Sequence, residues 1–251
     1  MKRKARIEQA SENHQYWRHR LARRFGAVSL RGRRWGRLLC QRLAVGRHSQ
    51  INEWICANIA HAVGLPIASF CLLETEEELF EELDRSQKGI GLGCSFGSLS
   101  QKNAVWFELG DIPSVSPLLQ KQIAAFDWLV KNGDRQCGNP NLLIDRSDSK
   151  LVVIDHNLAF DKASDFRIDS FIETHIFGAA FKEILQDLDY QDKMTDFLRP
   201  AAAAYRQAVG TLPKEWQWTN PPDSDLPTNY DFEFAKQAVL RAENGTLWRE
   251  P

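Results

Sequence analysis

The segment from residue 132 to residue 157 constrains the fold of this chain more than any other part of the sequence. Two apolar runs, about 141–145 and 150–154, flank the polar turn Asp145-Arg-Ser-Asp-Ser149. Short apolar runs on either side of such a turn are typical of antiparallel strands joined by a tight connection. The segment therefore predicts a β-hairpin that is preceded by a polar loop.

The open end of this hairpin is expected to carry a metal site. With the turn centred on Ser147, Asn139 lies opposite Asp155, and directly opposed residues are about 4.5–5.5 Å apart at Cα. Amide and carboxylate oxygens suit Mg²⁺, which completes its octahedron with waters and substrate phosphates. Asp134 stands five residues before Asn139, the spacing of the kinase catalytic loop, where the aspartate accepts the proton of the attacking hydroxyl. Asp134 is thus the candidate base.

The same residues have a purely structural interpretation. Asn-Gly-Asp and Gly-Asn-Pro-Asn are turn-forming sequences, and each alone would indicate only a loop. The catalytic-loop interpretation rests on a conjunction of a long preceding helix at 116–131, Asp and Asn five apart, a hairpin, and Asp155 at the end of the apolar strand Leu-Val-Val-Ile. We therefore favour a catalytic loop.

Apolar periodicity gives the rest of the layout. Helices are predicted over 50–64, 74–84, 116–131, 168–188, 191–209 and 230–246, and extended segments over 65–73 and 89–109. This order predicts an α+β, two-lobed, protein-kinase-like fold with a reduced N-terminal β lobe and a helical C-terminal lobe around the hairpin. The predicted domains are a basic N-terminal extension (1–25), an N-terminal lobe (26–112), a helical catalytic lobe (113–219), and a linker with a C-terminal helix (220–251).

A family resemblance follows from these motifs. The order Asn-x-Asp-Arg-x-x-x-Asn-Pro-Asn-Leu-Leu from Asn132, followed by Ile-Asp-His at 154–156, resembles the HipA-like kinases. It is more distantly similar to the Asp-Arg-His-x-x-Asn and Asp-Phe-Gly elements of phosphatidylinositol kinases. Weaker similarity extends upstream through the helix that contains Asn52-Glu53 and through Phe96-Gly-Ser98, so that it covers about residues 50–180.

The resemblance implies roles for individual residues, with ATP and Mg²⁺ as cofactors. It implies that Asp134 is the base, that Asn139 and Asp155 hold Mg²⁺, and that Glu53 pairs with a phosphate-binding cation. Nucleotide-side residues would be Arg135, Asn141 and His156. Two interpretations of Arg135 stand, a contact to phosphate or carboxylates and a surface arginine. His156 is expected as a packed or hydrogen-bonded neighbour of the metal site rather than as a ligand.

The sequence departs from the family pattern in the N-terminal lobe. The lysine expected upstream of Glu53 is absent from residues 38–47, and Arg42, which stands 11 residues before Glu53, is the candidate substitute, with Gln41 the other residue near that place. No glycine-rich phosphate loop precedes it, and the run Gly89-Ile-Gly-Leu-Gly93 is interpreted as turn glycine. This departure leaves two possibilities, a site that transfers the phosphoryl group and one in which this transfer is impaired.

Composition and charge argue against several classes of protein. Residues 1–50 contain 14 Lys and Arg against two acids, a net charge of +12, and the rest of the chain has a net charge of −13. This basic region contains no zinc spacing or helix-turn-helix, so nucleic-acid binding is not favoured. No apolar run approaches the roughly 20 residues of a membrane helix. Five cysteines without a CxxC pair indicate a reducing, cytoplasmic setting.

Two hypotheses come out of the sequence. The first is a cytoplasmic HipA-like kinase that transfers the γ-phosphoryl group of ATP to a Ser/Thr hydroxyl of a protein. The alternative is a nucleotide-binding pseudokinase or regulatory module with little transfer activity, because the upstream lysine is missing. An antitoxin partner and toxin–antitoxin membership are implied by the family resemblance alone.

Overall fold

The computed structural model describes residues 3–4, 27–32, 36–41, 46–162, 166–219 and 226–249. The chain divides into two compact units, each assembled from separate stretches of sequence. Unit 1 comprises Met1–Ile51, Ala68–Lys102 and Leu212–Asn229, and unit 2 comprises Asn52–Ile67, Asn103–Thr211 and Tyr230–Pro251. The linear domain boundaries remain a prediction, and most of the predicted extension (1–25) and linker lies outside the described residues.

Unit 1 is built on a five-stranded sheet in the order β1-β4-β5-β3-β2. Its strands are β1 (Arg3–Lys4), β2 (Ala27–Gly32), β3 (Gly36–Gln41), β4 (Phe70–Thr75) and β5 (Gly93–Leu99). The short helix α2 (Glu77–Glu82) follows β4 in the chain. Only the β1–β4 pairing is parallel among the described strands. Cys40, Leu73, Leu83 and Ile90 form the buried cluster beneath this sheet.

The C-terminal stretch of unit 1 is anchored on the backbone of Cys94. The Cys94 amide donates to Glu215 Oε1 (2.5 Å). The Cys94 carbonyl accepts from Trp216 Nε1 and from Arg47 Nη1, both at 3.0 Å. Since Cys94 lies in β5, these three bonds explain why residues 212–229 belong to the unit that contains the sheet.

Unit 2 contains a three-stranded antiparallel sheet and most of the helices. The sheet has the order β6-β7-β8, with β6 (Val105–Trp106), β7 (Leu142–Asp145) and β8 (Lys150–Val153). Helix α1 (Arg47–Val63) contributes its residues from Asn52 onward, and the other helices are α3 (Pro117–Leu129), α4 (Ile168–Thr174), α5 (Gly178–Gln186), α6 (Leu188–Leu198), α7 (Ala201–Gly210) and α8 (Phe232–Leu240). The predicted α+β class, with helices around a hairpin, is confirmed.

Local signals placed several helix ends correctly. Ser116 caps α3 by accepting from the Leu119 amide (3.3 Å), and Pro117 occupies the first turn as predicted. Helix α1 ends before Gly64, whose φ of 83° allows the Leu65 amide to reach the Ala60 carbonyl (2.9 Å). No helix within the described ranges is both long enough and apolar enough to cross a membrane.

Two of the long predicted helices are each divided in the structure. The predicted helix 168–188 becomes α4 and α5, because the chain turns at His175 and a Cβ on Gly178 would lie 2.0 Å from the Ile172 carbonyl oxygen. The predicted helix 191–209 becomes α6 and α7, which meet at Pro200. Proline has no amide hydrogen to donate and disfavours helical geometry at the residue before it.

Candidate functional site

The polar loop after α3 brings three of the predicted residues into direct contact. Asp134 Oδ2 accepts from the amide Nδ2 of Asn139 (2.9 Å) and from that of Asn141 (2.7 Å). The Asp134 backbone amide in turn donates to Asn132 Oδ1 (3.3 Å). Two donors on one carboxylate oxygen fix its orientation and leave Oδ1 for another partner.

Asp155 follows the last residues of the hairpin and adopts a strained backbone conformation. Its φ is 57°, a region that residues other than glycine seldom occupy and that clusters at functional sites. Its Oδ1 is buried and has no hydrogen-bond partner among the residues that the structure describes. Buried polar atoms are normally paired, so this oxygen is a candidate for binding a further group.

The pKa of Asp155 reflects its burial and the carboxyl groups near it. The pKa of Asp155 is raised to about 8, chiefly by burial and also by the nearby charges of Glu53 and Asp134. A side-chain hydrogen bond with Glu53 acts on this pKa in the same direction. Glu53, Asp134 and Asp155 are therefore near enough to affect one another's charge, and a bound cation would relieve their mutual repulsion.

Glu53 reaches this cluster from α1. Its Oε1 accepts from the His156 backbone amide (3.0 Å), and its Oε2 lies 3.5 Å from His156 Nδ1. The His156 ring is buried and packs edge-on against Phe126, with the ring centroids 5.6 Å apart. In unit 2, then, Glu53 orients the backbone immediately after Asp155, and His156 lies where a packed neighbour of the site was expected.

The hairpin register differs from the predicted one by one residue. Leu142 pairs with Val153 and Asp145 with Lys150, so the turn has four residues rather than five. The Ile154 amide donates to the Asn141 carbonyl (3.1 Å), which extends this register beyond the strands. Asn139 is therefore not directly opposite Asp155, and it joins the cluster through Asp134 instead. The prediction was wrong because it centred the turn on Ser147.

Arg135 is buried, and the carboxylate that it contacts is that of Asp127, which was not one of the predicted site residues. The Arg135 side chain has 0% exposure, which excludes a surface arginine. Nη1 donates to the carbonyls of Asn141 (2.5 Å), Ile154 (3.1 Å) and Pro140 (3.4 Å). Since these carbonyls lie next to Asn139 and Asp155 in sequence, Arg135 connects the loop to the end of the hairpin. Its guanidinium therefore stabilises the protein's own backbone.

Asp127 compensates the buried charge of Arg135, and the sequence reasoning missed it. Its Oδ2 accepts from Arg135 Nε (2.6 Å) and its Oδ1 from Asn132 Nδ2 (2.9 Å). Burial by itself would raise the pKa of Asp127, but the charge of Arg135 and the hydrogen bond from His175 outweigh burial and hold it well below its usual range. A usable signal existed, since Asp127 is the one charged residue between Ile123 and Val130.

His175 completes this buried network. Its Nδ1 accepts from the Phe177 amide (3.1 Å), so Nε2 carries the hydrogen and donates to Asp127 Oδ2 (3.0 Å). Burial lowers the pKa of His175, which keeps the ring neutral. No sequence pattern links a histidine in the break between α4 and α5 to an aspartate 48 residues upstream.

Arg42, the predicted substitute for the missing lysine, lies outside the described residues. The described part of the chain also contains no group of three or more His, Cys, Asp or Glu side chains arranged to hold a metal ion. Asp155 Oδ1 and Asn139 Oδ1 are oxygens of the kind that Mg²⁺ binds, since it takes one or two protein oxygens together with waters and phosphates. The buried and unpaired Asp155 oxygen is the feature that fits it best.

The chain matches a known protein family. No curated protein matches the chain. The family model described as HipA-like kinase matches residues 39–251, which is most of the chain and includes every described residue of the site. The chain therefore belongs to the HipA-like kinase family.

Proposed function

We propose that this chain is an ATP- and Mg²⁺-dependent kinase that transfers the γ-phosphoryl group to a Ser or Thr hydroxyl of a protein. Membership of the HipA-like kinase family supports a kinase-type enzyme. The observation that carries the finer proposal is Asp155, whose strained backbone and buried, unpartnered Oδ1 suit a ligand of Mg²⁺·ATP. Mg²⁺ would be held by Asp155 and Asn139, and it would neutralise charge on the phosphates.

Asp134 is the proposed base. Because its Oδ2 is occupied by the amides of Asn139 and Asn141, its Oδ1 is the atom that would take the hydroxyl proton. The hydroxyl oxygen then forms a bond to the γ-phosphorus as the bond from that phosphorus to the β,γ-bridging oxygen breaks, and ADP leaves with those electrons. Positioning by hydrogen-bonded side chains supplies most of the acceleration in such transfers.

The remaining predicted residues have supporting roles in this proposal. Glu53 would orient the segment that follows Asp155, and Arg42 would supply the cation against the phosphates. Asn141 and His156 border the nucleotide. A cytoplasmic location and an antitoxin partner are part of the proposal as well, the first from the absence of a CxxC pair in the sequence and the second from the family alone.

The direct test is incubation of the purified protein with γ-labelled ATP, Mg²⁺ and its own serines and threonines or a generic protein acceptor. Asp134→Asn should lower labelling at least about a hundredfold, because general bases contribute at least that much, while ATP affinity stays unchanged. Asp148→Asn, an exposed aspartate in the hairpin turn, is the matched control and should label like wild type. Equal labelling of wild type and Asp134→Asn would refute the proposal.

A nucleotide-binding pseudokinase is the second candidate. It is favoured by the absence of lysine from residues 38–47. Arginine in place of lysine keeps the charge but presents a rigid planar fork, which disturbs the placement of the phosphates. Binding of Mg²⁺·ATP by the wild type with no labelling of any acceptor would identify this alternative.

A further inference from the structure

The amide side chain of Asn52 connects three separate parts of unit 2. Its Nδ2 donates to the carbonyls of Asn157 (2.9 Å) and Ala159 (2.6 Å). Its Oδ1 accepts from the hydroxyl of Tyr230 (2.6 Å). Asn52 is itself buried. The amide nitrogen of Asn52 thus binds the backbone that follows Asp155, and its amide oxygen binds Tyr230.

This backbone needs support because it is strained at both ends. Asp155 and Phe160 have φ values of 57° and 56°, and such conformations persist only where the surroundings hold them. Glu53 holds the first part of the segment through the His156 amide. Asn52, the preceding residue of α1, holds the second part through two carbonyls.

The orientation of the Asn52 amide depends on Tyr230. If the amide turned over, its oxygen would face two carbonyls and its NH₂ group would face a hydroxyl, so both donor contacts to the segment would be lost. The Tyr230 hydroxyl fixes the correct orientation because it donates to Oδ1. Burial raises the pKa of Tyr230 far above neutrality, so the phenol remains a donor under any ordinary assay condition.

We infer that Tyr230 is a positioning residue for the proposed metal-binding aspartate, Asp155. It acts through Asn52, which holds residues 157–159 and so keeps Asp155 in its strained conformation. This inference rests on the proposed function and adds to it a residue from the C-terminal part of the chain, outside the loop and hairpin motifs. The Tyr230 hydroxyl donates to Asn52, whereas the Asp134 side chain accepts from Asn139 and Asn141.

Tyr230→Phe tests the inference, and Tyr205→Phe is its matched control. Tyr205 is another phenol of unit 2, and its hydroxyl donates to the carbonyl of Phe232 (2.5 Å), which is two residues from Tyr230. Burial raises the pKa of Tyr205 to about 12, so both phenols are protonated donors. Each substitution removes one hydroxyl, and a general loss of stability would affect both variants alike.

The first measurement is ATP affinity by calorimetry with and without Mg²⁺. Tyr230→Phe should weaken binding about fivefold in the presence of Mg²⁺, the size expected for one buried hydrogen bond, and should leave Mg²⁺-free binding unchanged. Tyr205→Phe should match wild type in both conditions. An unchanged Mg²⁺-dependent affinity in Tyr230→Phe, or an equal loss in both variants, would overturn the inference.

The second measurement is hydrogen exchange of the amides of residues 155–160 in the metal-free protein. Tyr230→Phe should exchange about fivefold faster there than wild type, and Tyr205→Phe should not. Adding Asn52→Ala should abolish the difference that Tyr230→Phe makes, because Tyr230 acts through Asn52. If Tyr230→Phe still speeds exchange in that background, the proposed route through Asn52 is wrong.

These measurements separate the inference from the proposed function. Wild type that binds Mg²⁺·ATP together with an unaffected Tyr230→Phe variant overturns the inference alone. Wild type that fails to bind Mg²⁺·ATP overturns the proposed function, and the hydrogen-exchange comparison, which uses neither metal nor nucleotide, then still decides whether Tyr230 holds the segment.

Discussion

Asp127→Asn is expected to destabilise unit 2 strongly, because it removes the only anion that Arg135 contacts among the described residues. Both side chains have 0% exposure, and their closest atoms, Nε and Oδ2, are 2.6 Å apart. Removing one partner of such a buried pair costs about 3–5 kcal/mol, since the other charge is left uncompensated. Arg135 keeps its three carbonyl acceptors, which places the expected loss near about 3 kcal/mol, the lower end of that range.

Native-state hydrogen exchange is the appropriate assay, because a chain of two units need not unfold in a single step. A loss of about 3 kcal/mol should lower the protection of the most stable amides in α3 about a hundredfold. Glu233→Gln, which neutralises an exposed i,i+3 pair with Lys236, is the control and should leave protection close to wild type.

A loss below about 1 kcal/mol in Asp127→Asn would refute this reasoning. It would mean that water reaches Arg135, or that the loop does not depend on the pair. Urea unfolding of the same variants gives an independent check, because the midpoint should fall in Asp127→Asn without a change in slope if only the folded state is affected.

Four further outcomes are expected. Asp155→Asn should weaken Mg²⁺-dependent ATP binding at least about tenfold, measured by calorimetry, and unchanged affinity would exclude Asp155 as a ligand. Because the pKa of Asp155 is raised to about 8 and the metal displaces its proton, Mg²⁺ affinity should rise about fivefold between pH 7 and pH 8, and Asp155→Asn should remove this dependence. Burial lowers the pKa of His175, so below about pH 6.5 the unfolded chain binds a proton that the folded chain does not. The free energy of unfolding should therefore rise as the pH is raised toward about 6.5. In urea titrations at several pH values, His175→Gln should reduce this dependence on pH. Arg42→Ala should abolish transfer and weaken ATP binding whereas Arg42→Lys preserves or raises transfer, and an inert Arg42→Ala would show that the cation lies elsewhere.

The sequence predicted the parts of the site that depend on local chemistry. The cap at Ser116, the stop at Gly64 and the hairpin between residues 142 and 153 follow from turn and helix-end preferences that act over a few residues. The grouping of Asp134 with Asn139 also followed, because both lie in one short loop.

The parts that the sequence did not predict depend on contacts between distant residues. The one-residue error in register came from the turn, whose length fixes the pairing of every later residue in a hairpin. The break between α4 and α5 depends on close packing at Gly178 and on the contact of His175 with Asp127, and apolar periodicity carries no trace of either. The role of Arg135 was missed for the same reason, since its partners are mostly backbone carbonyls.

Two buried aspartates show how a carboxylate that is fully paired within the protein differs physically from one that we propose as a metal ligand. Both oxygens of Asp127 are paired with donors inside the protein, and its pKa is held well below the usual range, so the charge is fully used for stability. Asp155 has the opposite properties, because its Oδ1 has no partner within the described residues, its pKa is raised and its backbone is strained. A carboxylate of the second kind costs stability in the free protein and recovers that cost only when a cation binds. The Arg135 and Asn52 networks that hold the backbone on either side of Asp155 are consistent with this role, since they keep the unfavourable conformation in place until the ligand arrives.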